Sequence, residues 1–100
     1  MIGIFWNVCG AGKPLFCRNL RYMIRKNEAD FVVIIEPKIS GARAASVCDR
    51  INMDSNFRVE ARGFSGGIWI VWDSARVMIS VLASNDHCIH AVVTKNNIDV

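Results

Sequence analysis

The sequence lacks most of the features that assign a short chain to a class at first sight. It has two prolines and no low-complexity stretch, which excludes a proline-rich or linker sequence. No apolar run approaches the roughly 20 residues of a membrane-spanning helix, and Asn7 interrupts the N-terminal apolar run too early for a secretory signal. We therefore expect an intracellular protein, nuclear or cytoplasmic and not secreted, with no membrane partner.

Paired cysteines and strong charge are also lacking. None of the four cysteines belongs to a C-x-x-C pair, so a zinc-ribbon pattern is excluded and free, reduced thiols are the better interpretation. The net charge of +3, from 12 basic and 9 acidic residues, favours nucleic acid or an anionic surface only weakly. These thiols are Cys9, Cys17, Cys48 and Cys88.

Apolar residues are abundant for so short a chain. They make up 52% of the 100 residues, with 21% charged, which excludes a disordered chain. A chain of this size buries only about two-thirds of its unfolded surface. Either the core is unusually efficient, or part of the apolar surface is meant for chain that is missing. No internal repeat or linker divides the sequence, so we expect one domain.

Two apolar runs each end in a polar residue. Residues 2–6 lead to Asn7, and residues 31–35 lead to Glu36. The stretch between them has helical periodicity, so strand, helix and strand read as a right-handed crossover that pairs two parallel strands. Both side chains then lie at the carboxyl ends of neighbouring strands, where open α/β sheets usually build their sites.

The loop after Asn7 contains a tempting motif that fails. Gly12-Lys13 matches G-x-x-x-x-G-K-[ST], but Asn7 stands at the first glycine and Pro14 at the Ser or Thr position. A G-x-G-x-x-G fingerprint fails too, because Leu15 replaces its third glycine. We interpret the loop as a strand-to-helix turn in which Pro14 suits the first helical turn.

Two helices are predicted from apolar residues at helical spacing. The first runs from Leu15 to about Asn27, and Ser40 can cap the second. Arg18, Arg21 and Arg25 share another face of the first helix; we interpret that face as a solvated surface, with contact to a nucleic-acid backbone as the alternative. The apolar stripes are Phe16, Leu20, Met23 and Ile24 in the first helix and Ala44, Val47, Cys48 and Ile51 in the second.

The second half of the chain predicts an antiparallel meander. Its strands cover residues 57–61, 68–72, 77–82 and 88–94, with turns at 63–67 and 83–86. Trp69 and Trp72 are three residues apart and face opposite sides of a strand, so we interpret them as packing residues and not as a base-stacking platform. His90 shares a face with Cys88, as a packed or rim histidine.

Glu36 is an unusual residue for the end of a buried strand. A carboxylate there needs a cation, an arginine or water, because burying it unpaired costs several kcal/mol. Pro37 and Lys38 stop the strand, and Lys38 is close enough in sequence to be its structural partner.

Three motifs together resemble the endonuclease/exonuclease/phosphatase superfamily (deoxyribonuclease I-like), and above all the endonuclease domains of plant LINE-type retrotransposons, which accompany a reverse transcriptase. The resemblance covers nearly the whole chain, to about Thr94, and the stretches Ser40-Gly41-x-Arg43-Ala44 and 57–61 add to its specificity. The motifs are Trp6-Asn7-Val8-x-Gly10, Glu36-Pro37-Lys38 and Gly63-Phe64-Ser65-Gly66-Gly67-Ile68-Trp69.

For the fold, the resemblance implies a four-layered α/β sandwich in which two mixed sheets face each other under outer helices. Residues 1–100 would form a single incomplete domain that supplies roughly the first sheet and its helices: a parallel strand-helix-strand unit, a second helix and the meander. The inner sheet face is then exposed or paired with another chain, which implies self-association or marginal stability.

For the site, the resemblance implies a Mg²⁺-dependent endonuclease, a hydrolase acting on DNA. Asn7 corresponds to the asparagine near the metal and the scissile phosphate, and Glu36 to the carboxylate that binds the catalytic Mg²⁺. Lys38 matches a basic position of the motif. Pro37 replaces the more usual threonine and Ile35 the more usual glutamine, so the surroundings of the metal ligand depart from the family.

Later family motifs are missing. The Gly-Asp-x-Asn segment has no counterpart, and the Ser-Asp-His segment has only a look-alike at 84–87, which contains an extra asparagine, falls in a meander turn, and is interpreted as a coincidence. We therefore expect a truncated, retrotransposon-derived domain that is inactive alone and that binds Mg²⁺ weakly or not at all without the rest of the domain. The alternatives are a non-catalytic nucleic-acid or protein interaction module, and a fragment with no selected function.

Overall fold

A computed structural model describes residues 1–62 and 66–96 of the chain. The part described contains two helices and six strands, in a mixed α/β arrangement. None of its helices is long and apolar enough to cross a membrane. In chain order the elements are β1 (Gly3–Asn7), α1 (Phe16–Asn27), β2 (Phe31–Ile35), α2 (Gly41–Ile51), β3 (Ser55–Val59), β4 (Ile68–Trp72), β5 (Val77–Asn85) and β6 (Cys88–Lys95).

The predicted crossover unit is confirmed. β1 and β2 pair in parallel across α1, with Gly3 opposite Phe31 and Asn7 opposite Ile35. Two further strands complete a four-stranded sheet in the order β1-β2-β4-β3, and both added pairs are antiparallel. The carboxyl ends of β1 and β2 therefore lie side by side at one rim of the sheet.

The predicted meander is confirmed in part: β3 pairs with β4 and β5 pairs with β6, both antiparallel, but β4 and β5 belong to different sheets. β4 lies between β2 and β3, whereas β5 and β6 leave the sheet and form a separate antiparallel pair. Sequence alternation predicts which residues of a strand face the core, but not the order of the strands in a sheet. β4 is apolar on both faces, and Trp69, Ile70 and Val71 are buried. Such a strand is stable only where both faces are covered, and β4 accordingly lies inside the sheet and not at its edge.

Strand boundaries also differ from prediction. β3 covers Ser55–Val59 and not residues 57–61, so part of the predicted turn before it is strand. β5 continues through Ala83, Ser84 and Asn85, and the turn that joins it to β6 is confined to Asp86 and His87. An irregularity in the pairing between Val81 and Ala83 absorbs the extra residue. The small and polar residues 83–85 predict a turn, but such residues also occur on the exposed face of a strand, as they do at the end of β5. The predicted turn at 63–67 lies in part outside the described residues.

The start of α2 is also capped differently from prediction. Ser40 occupies the N-cap position, but its side chain makes no capping hydrogen bond. The Glu60 carboxylate accepts one from the Gly41 amide at 3.2 Å. The charge of a residue directly after β3 thus satisfies a free amide of the first turn of α2.

The sheet separates two apolar cores. On one face, the predicted stripes of α1 and α2 pack over β2 and β4 and bury Leu20, Val47 and Trp69. On the other face, Val77 of the β5–β6 hairpin forms a buried cluster with Phe31 and Ile70 of the sheet. Trp69 and Trp72 lie in opposite cores, as predicted, and both are packing residues.

The hairpin covers only part of the second face. Phe5 is 69% exposed and Ile35 is 38% exposed at the edge of an open groove of about 520 Å³ between the sheet and β6. Phe31 closes one wall of the groove with its ring edge-on to Phe5 at 5.9 Å. The result is a helix layer, a sheet and a partial third layer.

Candidate functional site at the carboxyl ends of β1 and β2

The structure brings Asn7 and Glu36 together. Their link is the thiol of Cys9, whose Sγ lies 3.3 Å from Asn7 Oδ1 and 3.7 Å from Glu36 Oε2. Asn7 and Cys9 are exposed and Glu36 is half-buried at the rim. Two side-chain oxygen atoms and one sulfur atom therefore lie close together at the ends of β1 and β2.

Backbone hydrogen bonds hold the two segments in register beyond the strands. The amide of Val8 donates to the carbonyl of Ile35 at 3.0 Å, and that of Gly10 donates to the carbonyl of Glu36 at 2.8 Å. Ala11 adds a third bond at 2.7 Å to Pro37. The parallel ladder is in effect extended past Asn7, so the positions of the site residues do not depend on side-chain contacts alone.

Backbone strain is concentrated at this rim. Of the five non-glycine residues with positive φ in the described part of the chain, three are Cys9 (48°), Glu36 (57°) and Lys38 (60°). The other two, Glu28 and Asn52, end helices, where the left-handed conformation is ordinary. Each such residue costs on the order of 1–2 kcal/mol, and this kind of strain is often found at functional sites.

Two glycines press directly against Glu36. The amide of Glu36 donates to the carbonyl of Gly67 at 3.1 Å, and that of Lys38 donates to the carbonyl of Gly66 at 2.8 Å. A Cβ on Gly66 would lie 3.0 Å from the Cα of Glu36, and Gly67 has a φ of 86°. Gly66 therefore belongs to the site, because a side chain there would collide with the backbone of Glu36, whereas a Cβ on Gly67 would meet the Val59 carbonyl oxygen at 2.8 Å.

Lys38 is not the partner of Glu36, so that prediction is wrong. Its side chain is exposed and forms no ion pair among residues 1–62 and 66–96, and neither does that of Glu36. The backbone bends sharply around the buried Pro37, and Lys38 is tied through its amide to Gly66. Glu36 can remain unpaired because it is only half-buried and water reaches it.

The three arginines of α1 lie apart from this rim. Arg18, Arg21 and Arg25 are all exposed, and no described contact joins them to Asn7 or Glu36. The guanidinium of Arg21 donates to the carbonyl of Arg50 at 2.9 Å and so links α1 to α2. The structure assigns Arg21 a structural contact and leaves Arg18 and Arg25 in solvent.

Sequence reasoning missed two contributors. The sequence predicts Cys9 only as a free thiol, because its approach to Asn7 depends on a left-handed backbone conformation (φ 48°) that strand alternation does not predict. The turn residues Asp86 and His87 line a pocket of about 280 Å³ together with Glu36. Both residues belong to the look-alike at 84–87, which is interpreted as a coincidence because of its early position in the chain. Their place beside Glu36 depends on how the hairpin docks on the sheet, which no local pattern predicts. Asp86 also pairs with Arg62 at 3.9 Å.

His90, in contrast, is not packed. It lies with Cys88 on the exposed outer face of β6, so the shared face is confirmed and the packed or rim position is wrong. The inward side of the strand is formed by its small and aliphatic residues Ile89, Ala91 and Val93.

The groups with shifted pKa values lie elsewhere. Burial among the helices raises the pKa of the Cys48 thiol. Hydrogen bonds from Ser74 lower the pKa of Asp54, and the backbone amide of Ile2 lowers that of Asp30. These three groups act in the structure of the domain and not at the rim.

The oxygen donors of the rim fit a hard cation in part. Mg²⁺ takes oxygen ligands, keeps several waters, and is often anchored by one or two carboxylates plus a substrate phosphate, which Glu36 and Asn7 could provide. Within residues 1–62 and 66–96 no group of three or more His, Cys, Asp and Glu side chains is placed to hold a metal. A complete metal cage is thus not formed by the described residues.

Comparisons with protein-family models, with curated proteins and with solved structures found no match to this chain. The resemblance to the endonuclease/exonuclease/phosphatase superfamily therefore remains a hypothesis that rests on the motifs and on their spatial arrangement.

Proposed function

We propose that the chain is the N-terminal part of a Mg²⁺-dependent phosphodiesterase that acts on DNA, derived from a plant LINE-type retrotransposon and inactive alone. The observation that supports it most is the convergence of three sequence-distant motifs on one rim. Asn7 and Glu36 meet through Cys9, and Gly66–Gly67 pack against the Glu36 backbone. These are parts of the three segments on which the family resemblance rests.

In this proposal each residue has a defined task. The Glu36 carboxylate would hold the cation, and the Asn7 amide would orient a phosphate or a neighbouring group. The bound ion would supply charge stabilisation to the phosphate oxygens. The glycine pair keeps the carboxylate segment in place, and the pocket beside Glu36, Asp86 and His87 has room for a phosphate.

Inactivity follows from what phosphodiester hydrolysis requires besides a cation. A water must lose a proton and the leaving oxygen must be stabilised, which takes a positioned general base and a further polar group. The Gly-Asp-x-Asn segment that activates the water in the family is lacking from the sequence. We further propose that β5 and β6 are the start of the second sheet of a four-layered sandwich, which would explain the open groove.

A plasmid assay tests the proposal. Supercoiled DNA is incubated with the chain and Mg²⁺, beside Glu36→Gln and the matched control Glu28→Gln, which changes an exposed carboxylate at the end of α1. We expect all three proteins to nick no more than buffer. Robust nicking that is lost only in Glu36→Gln would contradict the claim of inactivity and identify a complete active site.

A second candidate is a non-catalytic nucleic-acid module that uses the face of α1 bearing Arg18, Arg21 and Arg25. Their joint exposure favours it. Replacing all three by alanine should weaken duplex binding and lower the slope of log K against log salt by about 2 to 3 if all three contact phosphates. Absence of DNA binding at low salt would exclude this candidate.

A further inference from the structure

The two edge strands of the four-stranded sheet differ in how well they are protected from pairing with a second chain. β3 carries Arg58 and is followed by Glu60, and the two side chains form an ion pair at 3.4 Å. β1, at the other edge, belongs to a stretch, residues 2–12, that contains no charged residue and no proline. Charge and proline on an edge strand oppose such pairing, so β1 forms the unprotected edge.

The backbone of β1 faces its partner strand and the open edge in alternation. The carbonyl of Ile2 accepts a hydrogen bond at 2.8 Å from the β2 side, and the amide of Val8 donates one at 3.0 Å to the last residue of β2. In a parallel ladder, alternate residues direct both N–H and C=O to the neighbouring strand. The even-numbered residues therefore face β2, and the N–H and C=O groups that point outward belong to Gly3, Phe5 and Asn7.

One register of antiparallel pairing between two β1 strands satisfies all of these outward groups. If Phe5 lies opposite Phe5 of a second copy, Gly3 lies opposite Asn7, and each such pair exchanges two hydrogen bonds. Sliding one strand by two residues would leave an outward residue of each β1 without a partner. No strand of residues 1–62 and 66–96 occupies this edge.

We propose that the chain forms a two-fold dimer in which two β1 strands pair edge to edge, with Phe5 at the axis. The two four-stranded sheets then form one continuous sheet. Because charge protects the edge formed by β3, the assembly closes at the dimer and does not extend into a fibre. This contact goes beyond the proposed function and does not depend on cation binding at Glu36.

Side chains on both faces of the sheet favour this register. On the face that carries the hairpin, Phe5 is 69% exposed in the single chain and would be covered by its copy. On the helix face, Ile4 would lie opposite Trp6 of the second copy, and such pairs of an aromatic and a β-branched residue stabilise neighbouring strands. Trp6 is positioned for this contact by stacking on Phe16 at 5.4 Å.

The contact is short, so the dimer should be weak. It joins five residues of each strand, and we expect it to bury less than the roughly 1,200 Å² at the lower limit of stable interfaces. Monomer and dimer should therefore exchange at concentrations on the order of micromolar and above.

Amide hydrogen exchange of the wild-type chain at increasing concentration tests the register. The outward amides of Phe5 and Asn7 should become protected as the concentration rises, because only the dimer provides their acceptors. The amides of Ile4 and Trp6 face β2 and should be protected at every concentration. Exchange at Phe5 that does not depend on concentration would overturn the inference.

Two variants at position 5 separate edge pairing from contact between side chains. Phe5→Pro and Phe5→Val both remove the ring, but only proline removes the outward N–H, and neither removes a hydrogen bond to β2. Sedimentation should give a dissociation constant about 30-fold higher for Phe5→Pro, because the two hydrogen bonds of the central pair are lost. Equal constants, or a wild type that stays monomeric throughout, would overturn the inference. The exchange experiment uses only the wild type and is decisive even if Phe5→Pro does not fold.

Discussion

At the scale of single residues, the site depends on backbone conformations that most side chains avoid. Cys9, Glu36 and Lys38 all have φ near 50–60° on adjoining segments. Glycine would relieve the strain at each position, yet a glycine at position 9 or 36 would remove the thiol or the carboxylate from the rim. A thiol and a carboxylate in strained positions favour a binding role for the rim.

Gly66 provides a prediction at this scale. Changing it to alanine would put a methyl group 3.0 Å from the Cα and 3.1 Å from the Cβ of Glu36. Since this segment is held on both sides by hydrogen bonds, we expect a loss of about 1–3 kcal/mol in the free energy of unfolding. Divalent-cation affinity at Glu36 should also fall, as measured by titration of both proteins.

The control for this change is Gly41→Ala. Gly41 has a φ of 58° but open space around its Cα, so alanine there tests backbone strain without crowding. It should lower stability by on the order of 1 kcal/mol and leave cation affinity unchanged. Equal effects of the two variants on cation affinity would show that the contact between Gly66 and Glu36 is unimportant for the site.

At the scale of elements, the periodicity of the sequence predicted the buried faces of the helices and the ends of the two parallel strands. The apolar stripes of α1 and α2 pack against the sheet as predicted, with Met23 and Ile24 only partly buried. Asn7 and Glu36 lie together because parallel pairing brings the ends of β1 and β2 to one rim. The order β1-β2-β4-β3 and the docking of β5–β6 depend on contacts between distant segments. The periodicity of a single segment carries no information about the strand order or the docking of the hairpin. This is why His87 was not predicted near Glu36.

Asp30 joins three elements at the opposite end of the sheet. Its buried carboxylate accepts a hydrogen bond from the Ile2 amide at 2.9 Å, before β1, and one from Arg76 at 3.4 Å, before β5. The Ile2 amide, followed by the Arg76 guanidinium, lowers the pKa of Asp30 despite its burial. The ionised form is therefore favoured by folding.

The consequence is a pH dependence with a defined sign. Because folding lowers this pKa, the stabilisation is present above the ordinary value of 3.8 and is lost as pH falls through the lower folded value. Asp30→Asn should cost about 1–3 kcal/mol at neutral pH and reduce the acid sensitivity of the free energy of unfolding. Denaturant titrations across the acid range measure both.

The matched control is Asp49→Asn, at an exposed position of α2. It should leave stability and its pH profile nearly unchanged. A profile of Asp30→Asn that parallels the wild type through the acid range would contradict the role given to this carboxylate.

At the scale of the whole molecule, the third layer covers only part of the sheet face. The hairpin covers the Phe31 and Ile70 end of the sheet face, and the groove beside Phe5 stays open. An exposed aromatic ring beside an apolar groove favours association, because burying it removes apolar area from water. This agrees with the high apolar content of the sequence.

We predict self-association through this face. Phe5→Ser should raise the dissociation constant of the assembly by about tenfold or more, because burial of a phenylalanine side chain contributes about 1.5–3 kcal/mol. Sedimentation over a concentration series measures it. Tyr22→Ser, which removes an aromatic ring of similar exposure from α1, is the control and should have no effect. A wild type that stays monomeric throughout would refute the prediction.

The central claim is that Asn7 and Glu36 form half of a metal-phosphate centre, and paramagnetic broadening by Mn²⁺ tests it most directly. Amide NMR spectra of the chain are recorded during a Mn²⁺ titration, with Glu36→Gln and Glu28→Gln in parallel. We predict that signals of Asn7, Glu36 and Gly67 broaden first in the wild type and in Glu28→Gln, and not in Glu36→Gln. Broadening that is diffuse, or that is unchanged in Glu36→Gln, would contradict the claim.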